Sequence, residues 1–283
     1  MTTNEKQWDL IIRPHRRWFD LRLDELWRYR DLVMLFVWRD FVAVHKQTIL
    51  GPLWYLIQPI LTNLTFTVIF GSIARLPTDN LPPFLFYMSG TVIWTYFSTC
   101  LTKTSDTFAS NSSLFGKVYF PRLAAPISIL ISNLITFGIQ FGLFLLFFGY
   151  FILSGASIHP NLWILFTPIL LLIMAGLGLG LGILISSMTT KYRDLRFLVQ
   201  FGVQLLMYAT PVVYSVTSVP ARYQILLQAN PLTSIIETFR YAFLGAGSVH
   251  PAQLLYSFVF MLVTVLVGAL IFNRVEATFM DTV

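Results

Sequence analysis

Neutral polar side chains recur at helical spacing inside several long apolar stretches of this sequence. The sets are Trp54, Gln58 and Thr62; Tyr87, Thr91, Trp94 and Ser98; Ser128, Ser132, Thr136 and Gln140; and Gln200, Gln204 and Tyr208. Because residues three or four apart share one face of a helix, each set predicts a polar stripe. Such stripes can line a wet, uncharged passage whose hydroxyls, amides and aromatic faces contact a polar solute such as a sugar. They can also form hydrogen bonds between helices, worth about 0.6 kcal/mol each, and both interpretations remain open.

The sequence contains no recognisable arrangement of catalytic or metal-ligating side chains. Its four histidines lie on predicted loops and segment ends without the spacing of a metal site: His15, His45, His159 and His250. Gly116 and Lys117 lack the upstream glycine of a phosphate-binding loop. The apolar stretches lack the ionisable groups that proton-driven transporters and intramembrane proteases generally need at depth. We therefore predict no catalytic residue, no metal and no cofactor on this chain.

Four alternating glycines, Gly176, Gly178, Gly180 and Gly182, lie inside one apolar stretch. The run looks like a nucleotide-binding fingerprint, but its period of two and its apolar surroundings argue against that role. Gly176 with Gly180, and Gly178 with Gly182, each follow the small-xxx-small spacing that lets membrane helices approach closely. The run therefore predicts close helix packing.

Composition places the chain in a membrane. The 283 residues are 56% hydrophobic and 11% charged, whereas soluble domains carry about 25% charged residues. This excludes an ordinary cytosolic domain and a disordered chain, and a single cysteine excludes a disulfide scaffold. The net charge is +6, and the basic residues flank the apolar runs. This placement indicates membrane topology rather than nucleic-acid binding.

Long intervals without charged residues predict six membrane helices, because a span needs about 20 apolar residues. The predicted spans are roughly 53–73, 84–103, 123–152, 162–187, 197–216 and 252–273. With the N-terminus inside, sixteen Lys and Arg residues lie on the cytoplasmic side, against Arg75, Arg222 and Arg240 outside. The positive-inside rule then places both termini in the cytoplasm. We expect an all-α, multi-pass membrane protein.

Three segments lie outside these spans. Residues 1–52 form a cytoplasmic and interfacial segment, whose stretch from Asp20 to Lys46 predicts an amphipathic helix that either tethers the chain or docks a cytoplasmic partner. Residues 217–250 are too apolar for a loop and predict a re-entrant element, in which Glu237 and Arg240 can pair. The alternative for this element is an interfacial helix with a weak surface pair. Residues 274–283 form a cytoplasmic tail.

Several motifs, in order along nearly the whole chain, resemble the polysaccharide-export branch of type-2 ABC transporter permeases. They are 28–40 (RYRDLVMLFVWRD), 46–54 (KQTILGPLW), Gln58-Pro59, 117–122 (KVYFPR), Tyr192-Arg193-Asp194, Asn230-Pro231-Leu232 and 275–279 (VEATF). The resemblance implies a homodimer in the bacterial inner membrane. It also implies two copies of a separate ATPase subunit, which would bind the ATP and Mg, and a lipid-linked glycan substrate.

The same resemblance implies where the ATPase would dock. The candidate coupling residues are Arg39, Asp40, Lys46, Asp106, Lys117, Arg122, Tyr192, Arg193 and Asp194. Arg193 and Asp194 also lie on a very short predicted cytoplasmic loop, where a rigid contact could form. The candidate channel residues are Trp54, Gln58, Thr62, Tyr87, Thr91, Trp94, Ser98, Gln200, Gln204 and Tyr208, and Glu237 with Arg240 form the outer re-entrant pair.

These features favour a permease subunit of an ATP-driven exporter of lipid-linked polysaccharide, of the O-antigen, capsule or teichoic acid type. Efflux of a drug or a small lipid on the same scaffold is the alternative transport function. A membrane-embedded glycosyl- or acyltransferase would need a cluster of acids or a histidine on one face, and the sequence shows none. An assembly protein without transport activity is a further alternative.

Overall fold

A computed structural model describes residues 23–45, 49–115, 120–189, 192 and 194–279, and every regular element in these ranges is helical. The α-helices are α1 Leu23–Arg28, α2 Arg30–His45, α3 Trp54–Phe66, α4 Pro83–Ser105, α5 Thr107–Ser110, α6 Ser112–Phe115, α7 Ala124–Leu153, α8 Thr167–Thr189, α9 Leu195–Tyr208, α10 Ala221–Ala229, α11 Pro231–Leu244 and α12 Pro251–Phe279. Short 3-10 turns occupy Gly51–Leu53, Leu162–Phe166 and Val216–Ser218, and a π-helical stretch, Thr67–Ile73, continues α3. The prediction of an all-α chain is confirmed.

Four helical segments in the described residues are long and apolar enough to cross a membrane: Gly51–Ile73, Ala124–Leu153, Leu162–Thr189 and Pro251–Val275. They coincide with four of the six predicted spans. The other two predicted spans correspond to α4, which has 23 residues but many polar ones, and to α9, which has only 14 residues. The protein is thus a multi-pass membrane protein, and the count of six spans stays a prediction.

Helix α4 lies at the centre of the bundle and packs against α3, α7, α8 and α11. Sixteen of its 23 residues are buried. Two of its buried hydroxyls donate within the helix: Ser89 Oγ to the Phe86 carbonyl at 2.7 Å and Ser105 Oγ to the Thr102 carbonyl at 2.7 Å. Such local hydrogen bonds remove the cost of burying a polar group.

The alternating glycines of α8 pack against two helices at once. A Cβ at Gly178 would lie 2.8 Å from Cys100 Cβ, and a Cβ at Gly182 would lie 2.6 Å from Thr104 Cβ. Both of these neighbours belong to α4. A Cβ at Gly180 would lie 2.6 Å from the carbonyl carbon of Thr264 on α12. The interleaved spacings therefore serve two neighbours on different faces of α8, as the predicted close packing requires.

Helix α9 ends at Tyr208, eight residues before the end of the predicted span 197–216. Pro211 cannot donate a backbone hydrogen bond and its ring blocks a continuing helix. The freed polar groups are bound by Asn230, whose Nδ2 donates to the Ala209 carbonyl at 3.2 Å and to Thr210 Oγ1 at 2.8 Å. The same Asn230 caps α11, which ends at Gly245 with φ +75°, so α9 and α11 are joined at a single asparagine.

The N-terminal helical region is split at Tyr29 into α1 and α2. Helix α2 packs against α7 and buries Val33, Phe36 and Val37, while Trp38 remains 67% exposed. Apolar side chains therefore lie on more than one face of α2. The amphipathic interfacial helix from Asp20 to Lys46 stays a prediction, and residues 20–22 and 46 lie outside the described residues.

Candidate functional site

A polar cavity of about 400 Å³ lies between α3, α4 and α7. All of its lining residues except Pro59 and Val92 have polar side chains: Tyr55, Gln58, Thr62, Asn63, Thr91, Thr95, Thr99, Lys103, Asn133, Thr136 and Gln140. Gln58, Thr62 and Thr91 belong to the predicted channel set, and two residues of the third stripe join them. The structure thus brings parts of three stripes together inside one chain.

Two hydrogen bonds tie the walls of this cavity together. Thr91 Oγ1 of α4 donates to Asn63 Oδ1 of α3 at 3.0 Å. Lys103 Nζ donates to Asn133 Oδ1 of α7 at 3.2 Å. Asn63, Lys103 and Asn133 were not among the predicted channel residues, although asparagine inside an apolar stretch is a usable signal, because its amide needs a partner there.

A second polar surface faces outward from the chain. Gln200, Gln204 and Tyr208 are exposed along α9, and Trp54 and Gln58 are exposed on α3. Aromatic and apolar residues of α9 lie on the same side, since Phe197, Phe201 and Leu205 are each at least 51% exposed. These two helices therefore present mixed amide and aromatic faces that the described part of the chain leaves uncovered.

The remaining predicted channel residues do not line the cavity. Tyr87 is 0% exposed and packs against Phe66, Phe70 and Phe86. Trp94 is 5% exposed and contacts Phe97. Ser98 Oγ donates to the Thr95 carbonyl at 3.2 Å. Tyr87 thus meets α3, whereas the contacts of Trp94 and Ser98 are with their own helix. The regular spacing along α4 therefore does not identify one wall of the cavity.

Three candidate coupling residues, Asp106, Tyr192 and Asp194, lie at the end of α4 or just before α9. Lys46, Lys117 and Arg193 lie outside the described residues. Asp106 Oδ1 lies 2.6 Å from Arg196 Nε, which joins the end of α4 to the first turn of α9. Asp194 precedes that turn and is exposed, as is Tyr192. Arg196 was not predicted, and its place next to the Tyr192-Arg193-Asp194 motif is the signal that could have identified it.

The other described coupling candidates, Arg39, Asp40 and Arg122, make contacts that do not involve Asp106 or Arg196. Arg39 Nη2 pairs with Asp40 Oδ1 at 2.7 Å. Arg122 is 7% exposed, and its guanidinium lies 5.4 Å from the centre of the Phe115 ring. Helix α5 is fixed to α8 because Phe108 N donates to Ser186 Oγ at 3.3 Å. This bond joins α5 to the last turn of α8.

At the opposite end of the bundle, Glu237 and Arg240 of α11 form a buried ion pair. Arg240 Nη1 lies 3.0 Å from Glu237 Oε1, and Arg240 is 0% exposed. Arg240 Nη2 donates to the carbonyls of Pro211 at 3.0 Å and Val212 at 3.2 Å. The guanidinium also stacks 3.8 Å from the Phe86 ring centre. The pair thus anchors the irregular chain after α9 to α11 and α4.

A further contact at this end was not predicted. Asp79, at φ +51°, accepts hydrogen bonds from Ser215 Oγ at 2.6 Å and Thr217 Oγ1 at 3.0 Å. It links the loop between α3 and α4 to the chain after α9. Among the described residues, no three His, Cys, Asp or Glu side chains form a group that could hold a metal ion.

Comparison with known proteins agrees with this architecture. The family model described as "ABC-2 type transporter" matches residues 31–244. The chain is 27% identical over 254 residues to the O-antigen export system permease protein RfbA of Klebsiella pneumoniae, covering 89% of this chain and 94% of that protein. It is 28% identical over 222 residues to RfbA of Myxococcus xanthus, covering 77% and 82% of the two chains.

A third relative is the polysialic acid transport protein KpsM of Escherichia coli, which is 24% identical over 232 residues, or 80% of this chain and 86% of that protein. The region that the family model matches, residues 31–244, includes α4, the α3/α4/α7 cavity, the Asp106–Arg196 contact and the Glu237–Arg240 pair. Because the family model matches more than half of the sequence, the chain belongs to the ABC-2 type transporter family.

Proposed function

We propose that this chain is the permease subunit of an ATP-driven exporter that moves lipid-linked polysaccharide across the bacterial inner membrane from its cytoplasmic face. The observation that carries the proposal is the match along 89% of the chain to a permease named for O-antigen export. The relative named for polysialic acid transport extends the similarity to a second surface polysaccharide.

The proposed assembly is a homodimer of six-span protomers with both termini in the cytoplasm. Support comes from the outward faces of α3 and α9, where Trp54, Gln58, Gln200, Gln204 and Tyr208 are exposed. Amides and aromatic rings on such a face suit a sugar chain, which offers hydroxyls at its edges and apolar patches on its ring faces. Two copies of these faces would enclose the channel.

Neutral contacts suit the movement of a long chain. Hydrogen bonds between neutral groups in a membrane protein are worth about 0.6 kcal/mol, so any one sugar unit can be released easily. Fixed charges along the channel would hold particular groups more strongly and slow the passage. We therefore assign Gln58, Gln200 and Gln204 the role of weak, repeated contacts, with Tyr208 and Trp54 as stacking surfaces.

Energy would come from a separate ATPase that binds ATP and Mg and docks in two copies on the proposed cytoplasmic side. The proposed docking surface comprises α2 with Arg39 and Asp40, the segment from Asp106 to Arg122, and residues 191–194. The Asp106–Arg196 ion pair supports a route for coupling, because it connects that surface directly to α9. Closure of the ATPase dimer would then move α9, which carries one wall of the channel.

The proposed re-entrant element, about 217–250, would sit at the outer leaflet. The buried Glu237–Arg240 pair supports this placement, since a charged pair at membrane depth must be enclosed by protein. It would hold the outer end of α9 while the inner end moves with the ATPase.

Deletion of the gene tests the proposed function. We expect less polysaccharide on the cell surface and accumulation of lipid-linked chains in the cytoplasmic leaflet, both reversed by the gene on a plasmid. Unchanged surface polysaccharide in a strain without another exporter would contradict the proposal. If the deletion strain instead becomes sensitive to a drug with normal surface glycan, the alternative of drug or small-lipid efflux gains support.

A further inference from the structure

The α3/α4/α7 cavity has a cation at one end and neutral hydrogen-bonding groups along the rest of its length. Lys103 is the only charged residue among its lining residues. Thr91, at the other end, is twelve residues earlier on α4, or about 18 Å along a helix. We propose that this cavity binds the phosphate group of an amphipathic lipid, with the Lys103 ammonium group paired to the phosphate.

The donors near Lys103 suit phosphate oxygens. Its ammonium group has three donors, of which one is directed to Asn133 Oδ1. Thr99 lies one helical turn away on α4, and Thr136 lies one turn beyond Asn133 on α7. Within the described residues, neither threonine side chain forms a hydrogen bond with another part of the chain. An ammonium group and two hydroxyls can therefore donate to the same anion.

Farther from Lys103, Gln140 is only 7% exposed and its amide makes no hydrogen bond to the described part of the chain. Because Gln140 lines the cavity, its amide can donate to and accept from a phosphate-linked polar group, such as a first sugar. The volume of about 400 Å³ lies in the range of small-molecule sites.

The surroundings favour a lipid over a soluble phosphate. Gln58 is exposed at the α3 side of the cavity, which gives an opening there. Next to it the outward faces are apolar, with Leu61 and Leu64 exposed on α3 and Leu134 exposed on α7. A lipid could keep its hydrocarbon on these faces while its phosphate entered beside Gln58. A free phosphate ion would gain nothing from them.

One acidic residue acts on Lys103 from outside the cavity. Asp40 of α2 lies within electrostatic range of Lys103, but its carboxylate is paired with the Arg39 guanidinium at 2.7 Å. Within the described contacts, the Lys103 ammonium group has no carboxylate at ion-pair distance, and its hydrogen bond goes to Asn133. The use of this site in export rests on the proposed function, because a lipid-linked glycan would present such a phosphate, whereas lipid binding itself can be measured without transport.

The test is a binding titration of the purified full-length chain in dodecyl maltoside micelles, whose detergent carries no phosphate, with a fluorescent polyprenyl phosphate. We expect the polyprenol of equal length, which lacks the phosphate, to bind at least about tenfold more weakly. Competition by phosphatidylglycerol shows which lipid the site prefers. If phosphatidylglycerol displaces the probe as well as unlabelled polyprenyl phosphate does, the ligand is a bulk anionic lipid. If it displaces the probe less well, the ligand is a polyprenyl carrier. Either result supports the phosphate site. Equal binding of the polyprenol, or equal competition by inorganic phosphate, would overturn it.

Variants locate the site. Lys103→Gln should weaken binding of polyprenyl phosphate about tenfold, because a charged hydrogen bond is lost, and Lys103→Arg should restore it. Arg75→Gln removes the same charge from an exposed loop and should leave binding unchanged. If Lys103→Gln does not fold, as judged by gel filtration, Thr99→Val provides the test and should weaken binding about threefold. Unaltered binding in a folded Lys103→Gln or Thr99→Val variant would refute the assignment.

The binding and deletion experiments fail separately. Lys103-dependent lipid binding with normal surface polysaccharide in the deletion strain would overturn the proposed function and leave the phosphate site intact. Loss of surface polysaccharide in the deletion strain, with binding insensitive to Lys103, would overturn the site and leave the proposed function intact.

Discussion

Removal of Arg240 should destabilise the protein far more than removal of an exposed arginine. Arg240 is 0% exposed and reaches Glu237, two backbone carbonyls and the Phe86 ring. Arg240→Met would leave the Glu237 carboxylate buried without its cation. Breaking a buried pair in this way costs about 3–5 kcal/mol. We expect the free energy of unfolding in mixed micelles, measured by titration with sodium dodecyl sulfate, to fall by about that amount.

A double variant separates the charge effect from the loss of packing. Glu237→Leu together with Arg240→Met removes both charges, so it should be less destabilised than Arg240→Met alone. Arg30→Gln is the control, because the Arg30–Asp31 pair is 3.9 Å apart with side chains 64% and 96% exposed. It should change stability by less than about 1 kcal/mol. An Arg240→Met loss as small as the control's, or a double variant as unstable as the sum of its singles, would refute this reasoning.

Three further perturbations test the packing, the coupling contact and the loop contact. Gly180→Ala should lower the free energy of unfolding by about 1–3 kcal/mol in the same titration, since its Cβ would meet the α12 backbone at 2.6 Å. Gly142→Ala, with nothing within 4 Å, should not. Asp106→Arg should abolish stimulation of the proposed partner ATPase by substrate, with a stability loss below about 1 kcal/mol. Adding Arg196→Asp should restore the stimulation, and no restoration would exclude a direct charge contact. Asp79→Ala should speed proteolysis at residues 209–219, because two hydrogen bonds to that segment are lost, and an unchanged cleavage rate would show that the contact does not hold it.

The elements that depend on local chemistry could be predicted from the sequence. The predicted span 53–73 corresponds to Gly51–Ile73, and 162–187 corresponds to Leu162–Thr189. The short helix that starts at Asn230-Pro231 and ends at Gly245 has an Asn side-chain cap and a left-handed glycine, which are signals carried by a few adjacent residues. Length, apolar content and capping determine these features, so no tertiary information is needed.

Tertiary placement could not be predicted in the same way. The stripe on α4 predicts one polar face, yet Thr91 lies in the cavity while Tyr87 and Trp94 lie in the apolar core. A buried helix has neighbours on every side, so its periodicity does not identify the neighbour that each face meets. The contact between Asp79 and Ser215 joins residues 136 apart, and no local pattern encodes that distance.

Reconstitution into proteoliposomes tests the central claim most directly: this chain is a conduit for glycan, and a separate ATPase supplies its energy. The measurement is ATP-dependent movement of a fluorescent lipid-linked oligosaccharide from the outer to the inner leaflet, in inside-out vesicles with and without the co-purified ATPase subunit. We predict movement only when both subunits and ATP are present, and no ATP hydrolysis by this chain alone. Hydrolysis by the isolated chain, or equal movement without the ATPase, would contradict the account.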